Sequence, residues 1–266
     1  MNRLLSLFAI LLLASAPSVA HSASSAWADA QGTRIRIVTA GAPNAEGVVR
    51  GALEIDLRPG WKTYWRDPGA SGVPPQIDIA GSVNVSAVEM DFPAPAWHDD
   101  GFSKWAGYDK PVAFPVTFRL ADAKAPARID ASVFLGVCET ICIPVQAKLE
   151  LVPEAGRDSS EDSRIVALAW EKLPAKATPD FGLKWGRSQD AAKLQLEAVT
   201  PSPGKASIFV ASTEGYELGL PKRQGADSNV FSIKLVARPK DKPAGAGLPY
   251  TMVTDRGVVS GYLPYP

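Results

Sequence analysis

Residues 33–57, TRIRIVTAGAPNAEGVVRGALEIDL, contain two runs in which apolar and polar side chains alternate. Residues 34–38 form the first run, and residues 48–57 form the second, in which Val49, Leu53 and Ile55 share one parity. Alternation with a period of two places successive side chains on opposite faces of an extended chain. Each run therefore predicts a half-buried β-strand.

Further short segments of strand-forming residues follow in the first half of the chain, at residues 76–79, 83–90, 112–120, 128–137 and 147–152. Pro59-Gly60 and Asp67-Pro68-Gly69 are turn signals on either side of an aromatic segment at residues 61–65. About seven short strands at this spacing are typical of an immunoglobulin-like β-sandwich. Within residues 92–102, Pro93 and Pro95 remove ladder donors, so this stretch predicts a long aromatic loop.

The second half predicts another β domain. Residues 153–162 are polar and predict a linker, and residues 163–173 have apolar side chains at helical spacing before Pro174. Later strands are predicted at residues 193–199, 206–210, 230–236, 250–253 and 258–263. We therefore predict an all-β protein, with an immunoglobulin-like β-sandwich followed by a second, smaller β domain. The expected bounds are residues 27–155 for the first domain, 156–176 for a linker with a short helix, and 177–266 for the second.

The N-terminus predicts export. Arg3 precedes an apolar run at residues 4–13, and Ser18-Val19-Ala20 has the small-x-small pattern of a signal peptidase site. The run is shorter than the roughly 20 apolar residues that cross a bilayer. We expect residues 1–20 to be a signal peptide and the mature chain to be a soluble periplasmic protein.

Charge gives no reason to expect a nucleic-acid or anionic membrane partner. The chain has 28 basic and 28 acidic residues, and removing a signal peptide that contains Arg3 leaves 27 against 28, a net charge of −1. Binding to phosphate-rich surfaces is usually supported by excess positive charge.

The chain has two cysteines, Cys138 and Cys142. Four steps of extended chain would separate them by roughly 13 Å, whereas a disulfide requires Cα atoms within about 7 Å. The chain must therefore turn between them, as a tight hairpin or a single helical turn. Closing so short a loop contributes only about 2 kcal/mol by chain entropy, which favours a bond that is made and broken. A local structural disulfide remains an alternative, and so does copper(I) binding by two thiolates.

Three segments resemble the DsbD family of thiol:disulfide interchange proteins. WHDDGF at residues 97–102 resembles the cap region of the N-terminal periplasmic domain of DsbD, and GVCETICIP at residues 136–144 resembles the segment with its two active cysteines. GWKTYWR at residues 60–66 is similar to the ScsB-type relatives. The resemblance covers residues 33–152. It implies a role in supplying electrons to disulfide isomerases, to cytochrome c maturation or to copper-stress defence.

The resemblance also implies the site residues: the exchanging thiols Cys138 and Cys142, the cap residue Phe102, the nearby acid Asp100, and the aromatic neighbours Tyr64 and Tyr108. Two features depart from DsbD. Three residues separate the cysteines here, against five in DsbD, and Gly101 stands where DsbD has a second acid. For Trp97 we expect ordinary core packing.

We expect a thiol–disulfide exchange protein that uses no cofactor. The family continues into a membrane domain whereas this chain ends at Pro266, so we expect a stand-alone soluble form. Its electron donor would be a separate membrane protein of the DsbD or CcdA type, and its client a periplasmic thioredoxin-fold protein. The alternative is a copper(I)-binding or protein-binding envelope module with a structural disulfide. We do not expect a Ser-His-Asp hydrolase, because no nucleophile motif accompanies His98.

Overall fold

The computed structural model describes residues 23–69, 72–99, 101, 103–153, 160–187, 193–202, 204–213 and 215–266. The predicted signal peptide lies outside the described residues, as do the predicted site residues Asp100 and Phe102. Strands and isolated β-bridges make up 53% of the described residues, which also contain one helix, and this confirms the predicted all-β class.

The first half contains eleven strands among its described residues. In chain order they are β1 (Ala28–Ala30), β2 (Thr33–Thr39), β3 (Val48–Leu57), β4 (Lys62–Tyr64), β5 (Gln76–Asp78), β6 (Val85–Met90), β7 (Ala96–Asp99), β8 (Lys104–Tyr108), β9 (Val112–Leu120), β10 (Ile129–Cys138) and β11 (Cys142–Leu151).

These strands form two sheets that face each other, as the immunoglobulin-like prediction requires. One sheet has the order β1-β2-β3-β9-β6, and the other has the order β11-β10-β4-β8-β7, with β5 paired to β10. Strands β2 and β3 pair antiparallel, with Ile35 opposite Ile55. Both side chains are buried in one core with Val133 and Leu135 of β10, because every second residue of each strand faces the opposite sheet.

The second half builds a smaller sandwich. Its helix and strands are α1 (Ser160–Glu171), β12 (Ala175–Lys176), β13 (Gly182–Trp185), β14 (Lys193–Val199), β15 (Ser207–Val210), β16 (Glu217–Leu218), β17 (Lys222–Arg223), β18 (Val230–Ala237), β19 (Leu248–Thr254) and β20 (Gly257–Leu263). The sheet orders are β12-β20-β19-β15 and β13-β14-β18-β16, with β17 paired to β18. Leu196 and Ile233 from one sheet share a core with Ile208 and Met252 from the other.

Helix α1 lies on the outside of the first sandwich. Val166 and Ala169 pack against Val38 and Ala52 of β2 and β3, and the Trp170 indole N–H donates to the carbonyl of Gly51 at 3.2 Å. Within the described part of the chain, no helix combines the length and the apolar character needed to cross a membrane.

The prediction of one long loop at residues 92–102 is wrong in part, because β7 and β8 form a hairpin there. Both prolines precede β7, and β7 is the last strand of its sheet, where one side needs no ladder partner. The same reason lets β11 contain Pro144 and begin at Cys142, ahead of the predicted start at residue 147, since β11 is the other edge strand.

Candidate functional site

The two cysteines close the hairpin formed by β10 and β11. Cys138 and Cys142 are directly opposite in the strand register, and residues 139–141 make the turn. Their Sγ atoms are bonded, with the Cα atoms 4.1 Å apart. Of the two turns compatible with the spacing, the structure therefore has the hairpin.

The two sulfurs differ in access. Cys138 ends β10, an interior strand, and is only 1% exposed. Cys142 begins β11 at the sheet edge and is exposed, and so is its neighbour Ile141. Thiol exchange proceeds by attack of a thiolate on one sulfur of a disulfide. The Cys142 sulfur is therefore the one accessible to an incoming thiolate, and attack there would release Cys138.

The Tyr64 hydroxyl contacts both sulfurs, at 2.8 Å from Cys138 Sγ and 3.1 Å from Cys142 Sγ. Tyr64 is buried on β4, which pairs with the end of β10. Two glycines make room for its ring: a Cβ at Gly72 would lie 2.6 Å from Tyr64 Cδ1, and one at Gly136 would lie 3.2 Å from Cε2. A phenol held there can donate to a thiolate at either position, and such charge-assisted bonds are strong.

An aromatic row continues from Tyr64 across the same face of the sheet. The buried Trp105 ring is edge-on to Tyr64, with centroids 5.5 Å apart, and His98 stacks on Trp105 at 4.1 Å. Trp105 shares a buried cluster with Tyr64 and Cys138. The place of Trp105 beside a cysteine depends on the pairing of β8 with β4, which the sequence pattern does not contain.

Lys62 adds a positive charge at the same end of the sheet. It is opposite Cys138 in the register of β4 and β10, and its Nζ lies 4.6 Å from the centroid of the Trp105 ring. A nearby cation favours a thiolate. Sequence reasoning missed Lys62, although its position two residues before Tyr64 on a strand indicates a shared face.

Tyr108 lies on the opposite face of this sheet. It is paired with Thr63, not with Tyr64, and its ring packs on Phe114 in the main core. Its hydroxyl donates to the carbonyl of Pro93 at 2.8 Å. Burial raises the pKa of Tyr108 well above its usual value, an effect that the Arg66 charge opposes. The sheet therefore separates this predicted active-site neighbour from the disulfide.

In the sequence, the predicted acid and cap flank Gly101, between β7 and β8. At this turn the backbone N–H of Gly101 donates to Asp99 Oδ1 at 3.0 Å. Asp100 and Phe102 lie outside the described residues, so their roles stay predictions. Glu139 is exposed in the turn between the cysteines. Among the described residues, no group of three or more His, Cys, Asp and Glu side chains could hold a metal ion.

Comparisons with known proteins bear on the first half of the chain and on the fold. A family model described as the N-terminal part of thiol:disulfide interchange protein DsbD matches residues 36–154. The N-terminal periplasmic domain of ScsB from Proteus mirabilis superposes with a TM-score of 0.71 at 21% identity, over 92% of this chain and 100% of that one. The resemblance found in the motifs is confirmed.

Two other comparisons add nothing to the assignment. A tandem of titin immunoglobulin domains matches with a TM-score of 0.17 at 7% identity, over 86% of this chain and 96% of that one, and carries no argument. No curated protein matches the chain significantly.

Proposed function

We propose that this chain, which carries a DsbD N-terminal domain at residues 36–154, passes electrons to a thioredoxin-fold client in the periplasm through Cys138 and Cys142. One observation carries the proposal: an exposed and a buried sulfur are bonded at the end of a hairpin, with one tyrosine hydroxyl in contact with both. A bond intended only for stability does not need an exposed sulfur or a donor poised for a thiolate.

The exchange is a pair of thiolate attacks. The reduced Cys142 thiolate attacks one sulfur of the client disulfide, forming a mixed disulfide and releasing the second client sulfur as a thiolate, which takes up a proton. The Cys138 thiol then loses its proton, and the resulting thiolate attacks Cys142 Sγ and releases the first client sulfur as a thiolate, which takes up a proton. Two electrons reach the client, and the Cys138–Cys142 bond is restored.

The oxidised pair must be reduced again before it can serve another client. A dithiol of a membrane donor of the DsbD or CcdA type would attack Cys142 and leave as a disulfide, the same two steps in reverse. We propose residues 1–20 as the export signal, residues 27–155 as the redox domain, residues 156–176 as the connection and residues 177–266 as the second domain.

The direct test mixes the chemically reduced protein with an oxidised thioredoxin-fold disulfide isomerase and follows free client thiols. We expect about one client disulfide to be reduced per protein molecule, because the pair holds two electrons. A variant with both cysteines replaced by serine is the control for non-specific reduction. A client that stays oxidised while the protein remains reduced would contradict the proposal and favour a structural bond. Client reduction that begins only after a copper(I) chelator is added would instead favour copper(I) binding by the two thiolates.

Tyr64→Phe should slow alkylation of reduced Cys142 at neutral pH by roughly tenfold. The change keeps the ring and removes a hydroxyl whose bond to a thiolate is worth about 1.5 kcal/mol or more. Tyr108→Phe is the matched control, because it removes a hydroxyl on the other face of the same sheet and should leave the rate unchanged. Equal rates for wild type and Tyr64→Phe would show that the hydroxyl does not act on the thiolate.

Phe102→Ala should speed alkylation of the reduced pair while the free energy of unfolding stays nearly constant, if Phe102 is a cap. A buried Phe→Ala change typically costs about 3–5 kcal/mol. Phe118→Ala, in the fully buried core of the first sandwich, is the control that should show this loss. A comparable loss for Phe102→Ala would make Phe102 a core residue and would remove the cap from the account.

A further inference from the structure

The hairpin formed by β7 and β8 is supported in part by contacts with the second sandwich. Strand β7 is the last strand of its sheet and pairs only with β8. Successive residues of a strand point to opposite faces, so Trp97 and His98 project from opposite sides of β7. His98 stacks on Trp105 in the aromatic row of the redox site, whereas Trp97 is directed toward the second sandwich.

The contact of Trp97 is specific in geometry. Its ring stacks on Phe209 of β15, with centroids 4.8 Å apart and planes 16° apart, and its indole N–H donates to the carbonyl of Ile208 at 3.2 Å. Phe209 is 1% exposed and also lies edge-on to Trp65 at 5.9 Å. It belongs to the core of the first sandwich, although β15 is a strand of the second.

A second contact holds the segment that follows β4. The backbone N–H of Ser212 donates to Asp67 Oδ2 at 2.6 Å. A Cβ on Gly69 would lie 2.7 Å from Leu220 Cδ2, so Leu220 is closely packed there. The carbonyl of Pro68, which lies between Asp67 and Gly69 in the chain, accepts a hydrogen bond from the backbone N–H of Ala106 on β8 at 3.2 Å. The second sandwich therefore touches the redox sheet at its edge strand and just after β4.

Strand β7 connects the contact with Phe209 to the aromatic row beside the sulfurs. Trp97 is fixed by Phe209 on one face, and its neighbour His98 touches Trp105 on the other, from which the row continues to Tyr64. A strand of four residues with one free edge has little stability of its own. Loss of packing behind Trp97 should therefore increase local opening of the hairpin that covers Cys138.

We propose that the second β-sandwich braces the redox site, with Phe209 and Trp97 as positioning residues that hold the β7–β8 hairpin against the row leading to Cys138. This assigns a role to residues 177–266, and its meaning for electron transfer rests on the proposed function.

The test uses the full chain with Phe209→Ala, chemically reduced, and follows alkylation of the buried Cys138 by mass. We expect the alkylation rate to rise roughly tenfold. This corresponds to a decrease of about 1.4 kcal/mol in the free energy of opening the hairpin. Phe231→Ala is the matched control, because it removes the same ring from the core of the second sandwich. Phe209→Leu keeps apolar packing behind Trp97 but loses the ring stacking. Its alkylation rate should lie above that of the wild type and below that of Phe209→Ala, and its comparison with the wild type is still a test if the alanine variant does not fold.

Equal acceleration by Phe209→Ala and Phe231→Ala would overturn the assignment of Phe209 and Trp97 as positioning residues, because it would show general destabilisation of the second sandwich and not the loss of their contact. Unchanged rates in both Phe209 variants would also overturn it. Since the alkylation needs no client, these results are distinct from failure of the proposed function, which would appear as wild-type protein that is reduced but transfers no electrons.

Discussion

Replacing Cys138 with serine is expected to trap a lasting mixed disulfide between Cys142 and a thioredoxin-fold client. The exposed Cys142 can still attack the client, but the resolving thiol at position 138 is gone, so the second step cannot occur. Replacing Cys142 with serine should give little or no adduct, because Cys138 is 1% exposed and packs in a buried cluster with Tyr64 and Trp105. The two cysteine variants should therefore differ by an order of magnitude or more in trapped complex.

The trapping is measured by mixing each reduced variant with an oxidised client that keeps both of its cysteines, alkylating the client thiol that the attack releases so that it cannot reverse the exchange, and separating the products without reductant. The double serine variant is the blank. Trapping by Cys142→Ser and not by Cys138→Ser would reverse the assigned order of attack. Absence of an adduct with both variants would contradict exchange through this pair.

In intact cells we expect Cys138 and Cys142 to be largely reduced, and to become oxidised when the electron donor is removed. Each client disulfide that is reduced leaves the pair oxidised, and it stays so until a donor dithiol reduces it. The periplasm is kept oxidising, so a reduced pair there requires a continuous supply of electrons.

The state of the pair is measured by alkylating free thiols during an acid quench and counting the added groups by mass. Two added groups per chain are expected in normal cells and none after loss of the donor. The control is protein oxidised before the quench. A pair that is fully oxidised in normal cells would contradict the proposal that this protein donates electrons. It would instead indicate that the protein is an oxidant or that the bond is structural.

Period-two alternation was sufficient to predict the long strands. Residues 112–120 and 193–199 are strands with the predicted bounds, because each has several alternations and packs against a core. The strands β4, β7 and β8, of three to five residues each, were not predicted. Their extended conformation is fixed by neighbours distant in sequence, which a local pattern does not contain.

The candidate site shows the same division. The reach of an extended chain established that it turns between Cys138 and Cys142, but only the register of β10 with β11 shows that the turn is a hairpin. Tyr64 came from resemblance, and its contact with both sulfurs required the pairing of β4 with β10. The contacts of Trp105 and Phe209 could not be predicted from the sequence, because they depend on strands and sandwiches that meet only in the folded chain.

The most direct test of the central claim is the reduction potential of the Cys138–Cys142 bond in the folded protein. It is measured by equilibrating the protein with thiol–disulfide buffers of known potential and counting alkylated thiols. We predict a value above about −300 mV, in the range of catalytic dithiols, with the fold retained in both states. A value below about −300 mV, or a bond that is reduced only when the protein unfolds, would contradict the account and identify a structural disulfide.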